Sequence, residues 1–226
     1  MPEGPSILLM KENLQKFVDK KIISASGNAN VERELLNGKK LLEIKTFGKQ
    51  TYLVLKEISV RIHLLMFGSY SIDEQTKPDS RLRLALHFKT GSMYFYTCSV
   101  KVVENQLLSE IDWEADVLSD SWNAKKAGKK LKSKPGSMVC DALLDQQIFS
   151  GVGNIIKNEV LFRVDIQPES LLKNIPPKEM FGGFTIWRIL SIYAFCRLRR
   201  YISVGFFDAS SLHMPFFRSV SISVAR

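Results

Sequence analysis

Leu143-Leu144-Asp145-Gln146-Gln147-Ile148-Phe149-Ser150-Gly151-Val152-Gly153-Asn154-Ile155 is the stretch whose reading decides the fold. Residues 138–149 and 154–162 carry apolar side chains at helical spacing, and Ser150-Gly151-Val152-Gly153 interrupts them. A dinucleotide-binding turn is a poor reading, because no strand precedes Gly151 and a third glycine is absent. The pattern predicts instead a helix, two tight turns made possible by Gly151 and Gly153, and a second helix. The second helix points its free N–H groups outward, an arrangement suited to a phosphate. Asn154 adds a side-chain donor. A helical hairpin turn with no ligand explains the same residues equally well.

Upstream the periodicity changes. Residues 5–20 predict an amphipathic helix, with Pro5 near its start and Ile7, Met10, Leu14, Phe17 and Val18 at helical spacing. From about residue 22 to 104 the pattern is that of strands. Apolar runs at 41–46 and 51–55 flank Phe47-Gly48-Lys49-Gln50, and 60–66 is another run. Leu82, Leu84, Leu86 and Phe88 alternate strictly, and Lys89-Thr90-Gly91 turns them into the aromatic-rich 92–97. Several short antiparallel strands predict a sandwich. Residues 105–124 are a polar, acidic connection. Lys125, Lys126, Lys129, Lys130, Lys132 and Lys134 follow, six lysines in ten residues. The expected class is α+β. An N-terminal antiparallel β-sandwich with a leading helix (1–120) precedes a helical helix–two-turn–helix domain with an atypical C-terminal tail (121–226). In 180–226, which includes Phe206-Phe207 and Phe216-Phe217, no periodicity is visible.

The 226 residues hold 32 Lys+Arg against 23 Asp+Glu, a formal charge of +9. That balance suits a polyanion, either nucleic acid or an acidic membrane surface. Cys98, Cys140 and Cys196 are far apart with no CxxC pair, so neither a zinc ribbon nor a disulfide framework is expected. No metal or cofactor is expected. The apolar run 183–196 contains Arg188 and is too short to span a bilayer. No secretory signal pattern opens the chain. The expectation is a cytoplasmic monomer without a membrane partner.

The chain begins Met1-Pro2-Glu3-Gly4-Pro5. With Met1 removed, Pro2 presents a secondary amine able to attack an electrophilic carbon and form an iminium, as lysine amines do. Glu3 beside it is a candidate proton donor. The plainer reading is a helix start, where proline is favoured. The lysine run can be a solvated segment or, next to a phosphate-binding turn, a track for a nucleic-acid backbone. Lys49 stands in a turn. Met66 and Phe67 end a strand in apolar residues, as core or as a wedge that fills the space of an extruded base.

Taken in order, Pro2-Glu3-Gly4-Pro5, Phe47-Gly48-Lys49, His63-Leu64-Leu65-Met66-Phe67-Gly68-Ser69 and Leu143-Leu144-Asp145-Gln146 running into Gly151-Val152-Gly153-Asn154-Ile155 resemble the formamidopyrimidine-DNA glycosylase/endonuclease VIII family. The resemblance covers about residues 1–175. It implies a β-sandwich and a helix–two-turn–helix domain with damaged DNA in the cleft between them. It implies base excision with strand cleavage, Pro2 as nucleophile and Glu3 as acid. Lys49, grouped with Pro2 and Glu3 as a catalytic residue, would contact the phosphate at the lesion, Asn154 would hold a backbone phosphate and Met66 would enter the duplex. Gly151 and Gly153 shape the turn, and Lys129 and Lys130 belong to the basic track. The chain departs from the family at Ser6, where many members carry glutamate. At Thr97-Cys98-Ser99-Val100-Lys101 the arginine and phenylalanine that some members insert into DNA are not evident. The two CxxC pairs of the C-terminal zinc finger are also missing. Those departures keep a second reading open, a DNA-binding relative with impaired chemistry. A basic RNA-binding module is the third.

Overall fold

The computed structural model describes residues 2–176. Pro5 occupies the first turn of helix α1 (Gly4–Leu14), where its missing N–H has no intrahelical partner to lose. Ser6 fixes the start. Its hydroxyl accepts the Glu3 N–H at 3.1 Å and donates to the Glu3 carbonyl at 2.8 Å. Ile7, Met10 and Leu14 are buried. The helix is shorter than the predicted 5–20. After a 3-10 turn (Gln15–Phe17), residues 19–20 pair with Leu41, which accepts the Asp19 N–H at 2.7 Å and donates to the Lys20 carbonyl at 2.9 Å. Backbone pairing with a distant segment overrides local helical periodicity here.

Eight strands follow: β1 (Ile22–Ser26), β2 (Glu43–Phe47), β3 (Gln50–Val54), β4 (Ile58–His63), β5 (Ser69–Ile72), β6 (Leu82–Phe88), β7 (Gly91–Tyr96) and β8 (Ser99–Glu104). They form two antiparallel sheets, β1-β6-β7-β5 and β2-β3-β4-β8. Leu53, Val60 and Ile62 from one sheet meet Leu84, Leu86 and Phe95 from the other, with α1 in the same core. The sandwich is the one the alternation predicts, with two deviations. The β6–β7 register shifts between Leu82 and Leu84, and Leu82 leaves the main core to cluster with Ala85 and Tyr96. β4 stops at His63 rather than running to residue 66. Leu65 takes a φ of 56°, and Gly68 N–H closes the loop on the Leu64 carbonyl at 2.7 Å.

A second, separate core holds Val117, Ala127, Leu131, Leu143, Phe149 and Ile156. It is built on α3 (Ala124–Lys132), α4 (Val139–Leu144) and α5 (Asn154–Arg163), after a single turn α2 (Gln106–Ser109). Asn123 caps α3 by accepting the Lys126 N–H at 3.0 Å. The lysine run is therefore helical and buries Ala127, Gly128 and Leu131 on its inner side. Helix α4 is shorter than the predicted 138–149. The Asp145 carboxyl accepts the Gln147 N–H at 2.9 Å and turns the chain.

One buried carboxylate ties the two cores together. Asp116 accepts the Gly48 N–H at 2.8 Å through one oxygen and the Leu118 N–H at 2.9 Å through the other. Gly48 has a φ of 57°, and a Cβ there would strike the Ser150 side chain. Ser150 in turn donates its N–H to the Ala115 carbonyl at 2.8 Å. Asp116→Ala leaves two enclosed N–H groups unpaired. It is expected to lower unfolding free energy by about 1–3 kcal/mol, read by urea denaturation. Burial holds this carboxyl above the usual aspartate range. A raised folded-state value means that stability declines as pH rises through the window between the ordinary and the raised value, and the variant should lack that component.

Candidate active site

The Glu3 side chain turns away from its own helix and reaches α5. Oε1 accepts the Ile155 N–H at 2.8 Å and Oε2 accepts the Ile156 N–H at 3.2 Å. These are among the first donors of α5, which have no intrahelical partner. Gly153 allows the approach, since a Cβ there would fall on the Glu3 carboxyl. Glu3 is only 6% exposed. Burial pushes its carboxyl above the usual glutamate range; the helix N–H groups and the Lys49 ammonium oppose this without cancelling it. The result is an acid of raised proton affinity held by two fixed donors.

Lys49 leaves the β2–β3 turn half-buried. Burial holds its ammonium below the usual lysine range, and Glu3 pulls in the other direction. No hydrogen bond or ion pair fixes it among the described residues. His63, opposite Gln50 in the β3–β4 ladder, borders the same space. Burial lowers its ring value, and the charges of Lys49 and Arg61 lower it further. Its Nδ1 accepts the Leu65 N–H at 3.0 Å, which leaves Nε2–H as the outward donor of the neutral ring.

The two-turn segment is braced from within. Gln146 Oε1 accepts the Gly151 N–H at 3.1 Å, and its amide nitrogen donates to the Leu144 carbonyl at 2.8 Å and the Val152 carbonyl at 3.0 Å. Gly151 has a φ of 100°, and its carbonyl accepts the Gly4 N–H at 2.8 Å. Asn154 opens α5 on the surface. Its Oδ1 accepts from the Lys157 ammonium at 3.1 Å.

Glu3, Lys49, Gly151, Gly153 and Asn154 thus converge, and Pro2 adjoins Glu3 in the chain. Met66 lies three residues beyond His63, at the tip of the β4–β5 loop. It is 62% exposed and its neighbour Phe67 77% exposed. Lys129 is exposed on α3. Lys130 is bonded to Asp112 at 3.0 Å and to the Gln147 carbonyl at 2.6 Å. Lys126 and Lys134 are likewise paired, with Asp112 and Glu114 and with Asp145 respectively. No hydrogen bond or ion pair among the described residues joins Lys129 or Lys130 to the Glu3 cluster. Cys196, His213 and the segment 180–226 lie outside the described residues.

Sequence reasoning missed Asp116 and gave His63 and Gln146 no role. The last two stand inside the quoted motifs, which was the available signal. Asp116 is one acid among several in 105–124, and only its burial sets it apart.

Residues 1–102 match the formamidopyrimidine-DNA glycosylase N-terminal domain, and residues 114–182 match the formamidopyrimidine-DNA glycosylase H2TH domain. Endonuclease 8-like 3 of Mus musculus is 30% identical over 177 residues, 75% of this chain and 29% of that protein. Formamidopyrimidine-DNA glycosylase of Bacillus cereus is 26% identical over 200 residues, 80% of this chain and 72% of that protein. The chain spans less than a third of the length of the first relatives it matches. Two solved structures share the fold. Formamidopyrimidine DNA glycosylase of Lactococcus lactis, non-covalently bound to DNA containing an AP site, has a TM-score of 0.75 at 20% identity, over 85% of this chain and 81% of that one. A viral DNA glycosylase has a TM-score of 0.77 at 20% identity, over 90% and 85%. Both halves of the family's architecture are matched in order along one chain, and so the chain belongs to the formamidopyrimidine-DNA glycosylase/endonuclease VIII family.

Proposed function

We propose that this chain is a DNA base-excision repair glycosylase that removes oxidised bases and then cleaves the abasic strand through an iminium at Pro2. The observation that carries the reading is the Glu3 carboxyl, buried, raised in proton affinity and fixed by the Ile155 and Ile156 N–H groups. A carboxyl so held retains a proton more readily than a solvated one and delivers it from a fixed position. With Met1 removed, the Pro2 nitrogen lone pair attacks the sugar C1′, the bond from C1′ to the base breaks, and the proton shed by the Pro2 nitrogen passes to the departing base. Glu3 protonates the ring oxygen as the C1′–O4′ bond opens, leaving a cationic iminium. Loss of the C2′ proton then expels the 3′ phosphate. An unperturbed α-amino group titrates near pH ~8, so a sizeable neutral fraction of the amine exists at neutral pH.

The other residues serve binding. Lys49, Asn154 and Lys129 face backbone phosphates, and Lys130 joins them by exchanging its bond to Asp112. Met66 fills the space of the extruded base, which offsets part of an unstacking cost of about a few kcal/mol. We read the chain as two domains, 1–120 and 121–226, with Val117 already contributing to the second core. Ser6, where many family members carry glutamate, and residues 97–101, where the inserted arginine and phenylalanine are not evident, favour a second reading, a relative that binds DNA without full chemistry. Borohydride trapping separates the two.

Reduction in the presence of abasic-site DNA is expected to give a covalent adduct with the processed chain and none with a chain blocked by residues ahead of Pro2. Undiminished trapping by the blocked chain would remove Pro2 as nucleophile. Glu3→Gln is expected to slow single-turnover base excision by about 10²–10⁴-fold, with less effect on pre-formed abasic sites. Gly153→Ala, whose Cβ occupies the carboxyl's place, is expected to lower excision in the same sense. Parental excision in both variants defeats the role given to Glu3.

A further inference from the structure

The β2-β3-β4-β8 sheet carries an unusual row on the face opposite the core. In the ladder Lys45 is paired with Tyr52, Tyr52 with Arg61, and Arg61 with Lys101. Directly paired residues share a face, and on this one the core residues Ile44, Leu53, Val60 and Val100 point the other way. Three cations therefore cross four strands. Like charges placed directly opposite one another destabilise a sheet, yet Arg61 and Lys101 sit so. No carboxylate pairs either of them among the described residues; Lys45 has Glu43 at 3.4 Å. Tyr52 is buried; its hydroxyl donates to Gln50 at 2.8 Å and takes a hydrogen bond from Arg61, a neutral partner that leaves the guanidinium without a counter-ion. A like-charge pair left without a counter-ion marks a place where an outside group supplies the missing charge.

The row adjoins the candidate site. His63 is two residues from Arg61 on β4, about 7 Å along the strand, and its ring feels Arg61 and Lys49 together. At one end Lys45 lies over the Trp113 ring, with Phe47 edge-on to the same ring. At the other, the open edge of β8 borders a groove of about 810 Å3 whose polar lining is Asn30, Glu32, Arg83, Ser99 and Lys101. Cations at strand spacing, flanked by an aromatic ring and continuous with a site for a reacting sugar, fit a sugar-phosphate backbone better than a compact anion.

We propose that Lys45, Arg61 and Lys101 form a second contact that holds the backbone of the DNA strand as it runs away from the Glu3–Lys49 site. The inference rests on the reading of that site as one for DNA. It extends the footprint along the sandwich, on a surface separate from the two-turn segment and the β4–β5 loop.

The test uses the full chain and an Arg61→Gln/Lys101→Gln double variant. Binding is measured across a salt series to undamaged duplex, to a long abasic duplex and to a short one covering only the site. Two lost phosphate contacts should flatten the log–log salt slope on both long duplexes by about 1.8. The deficit of the variant then shrinks about tenfold between about 50 and about 200 mM salt. The short duplex should bind both proteins alike. The Tm without DNA should stay level or rise, because a like-charge pair has been removed. An unchanged slope overturns the proposal, as does equal loss on short and long duplexes with a lowered Tm. A deficit seen only with poly-glutamate assigns the row to an acidic protein and also overturns it. Undamaged duplex requires no chemistry. A flattened slope beside failed abasic trapping by the parent would keep the row and reject the glycosylase mechanism.

Discussion

Everything near the site depends on one pair of hydrogen bonds, from the Ile155 and Ile156 N–H groups to the Glu3 carboxyl. A hydrogen bond to a charged group contributes about 1.5–3 kcal/mol. Removing an ion from water costs several kcal/mol, so the two effects are of similar size. The raised proton affinity of Glu3 shows that burial wins over the helix donors. Had the donors won, Glu3 would be a fixed anion that caps a helix. As it stands, the same contact serves as a cap and keeps a proton within reach. Gly153 makes the approach possible, and the Gly4–Gly151 bond and Asp116 with Gly48 hold the flanking backbone in register.

The chain's positive charge is distributed in two ways. Lys134, beyond the end of α3, is held by Asp145, and on α3 itself Asp112 and Glu114 hold Lys126 and Lys130. These pairs brace the acidic connection against the helix, and being half-exposed they add little stability. On the sandwich, Lys49, Arg61 and Lys101 have no such partners among the described residues. A net charge summed over the sequence cannot separate charge used internally from charge left for a ligand. Only the pairing geometry does so.

Much of the architecture was legible because it rests on local signals. Leu84, Leu86 and Phe88 alternate, Pro5 marks a helix start, and Gly151 and Gly153 punctuate two helices. The errors fell where distant segments intervene. α1 stops early because residues 19–20 pair with Leu41, and β4 stops at His63 because Leu65 reverses the chain. Leu82 breaks the alternation through a register shift that no periodicity contains. In the site, Pro2 with Glu3 and the Asn154 turn were each readable from their own chemistry, and family resemblance joined them and Lys49 into one constellation. Asp116 was not. Its significance lies in two N–H groups from distant parts of the chain, and nothing in Ala115-Asp116-Val117 announces them.

Glu3 and Ile155 are 152 residues apart, yet they bond directly. During synthesis, at about 5–20 residues per second, α5 emerges roughly ten to thirty seconds after the N-terminus. Throughout that interval the sandwich can collapse on α1 while the first residues remain unclasped. The clasp between Glu3 and α5 closes only once that helix has been made. The order of synthesis thus leaves the segment ahead of Gly4 unanchored first and tied to the second core afterwards.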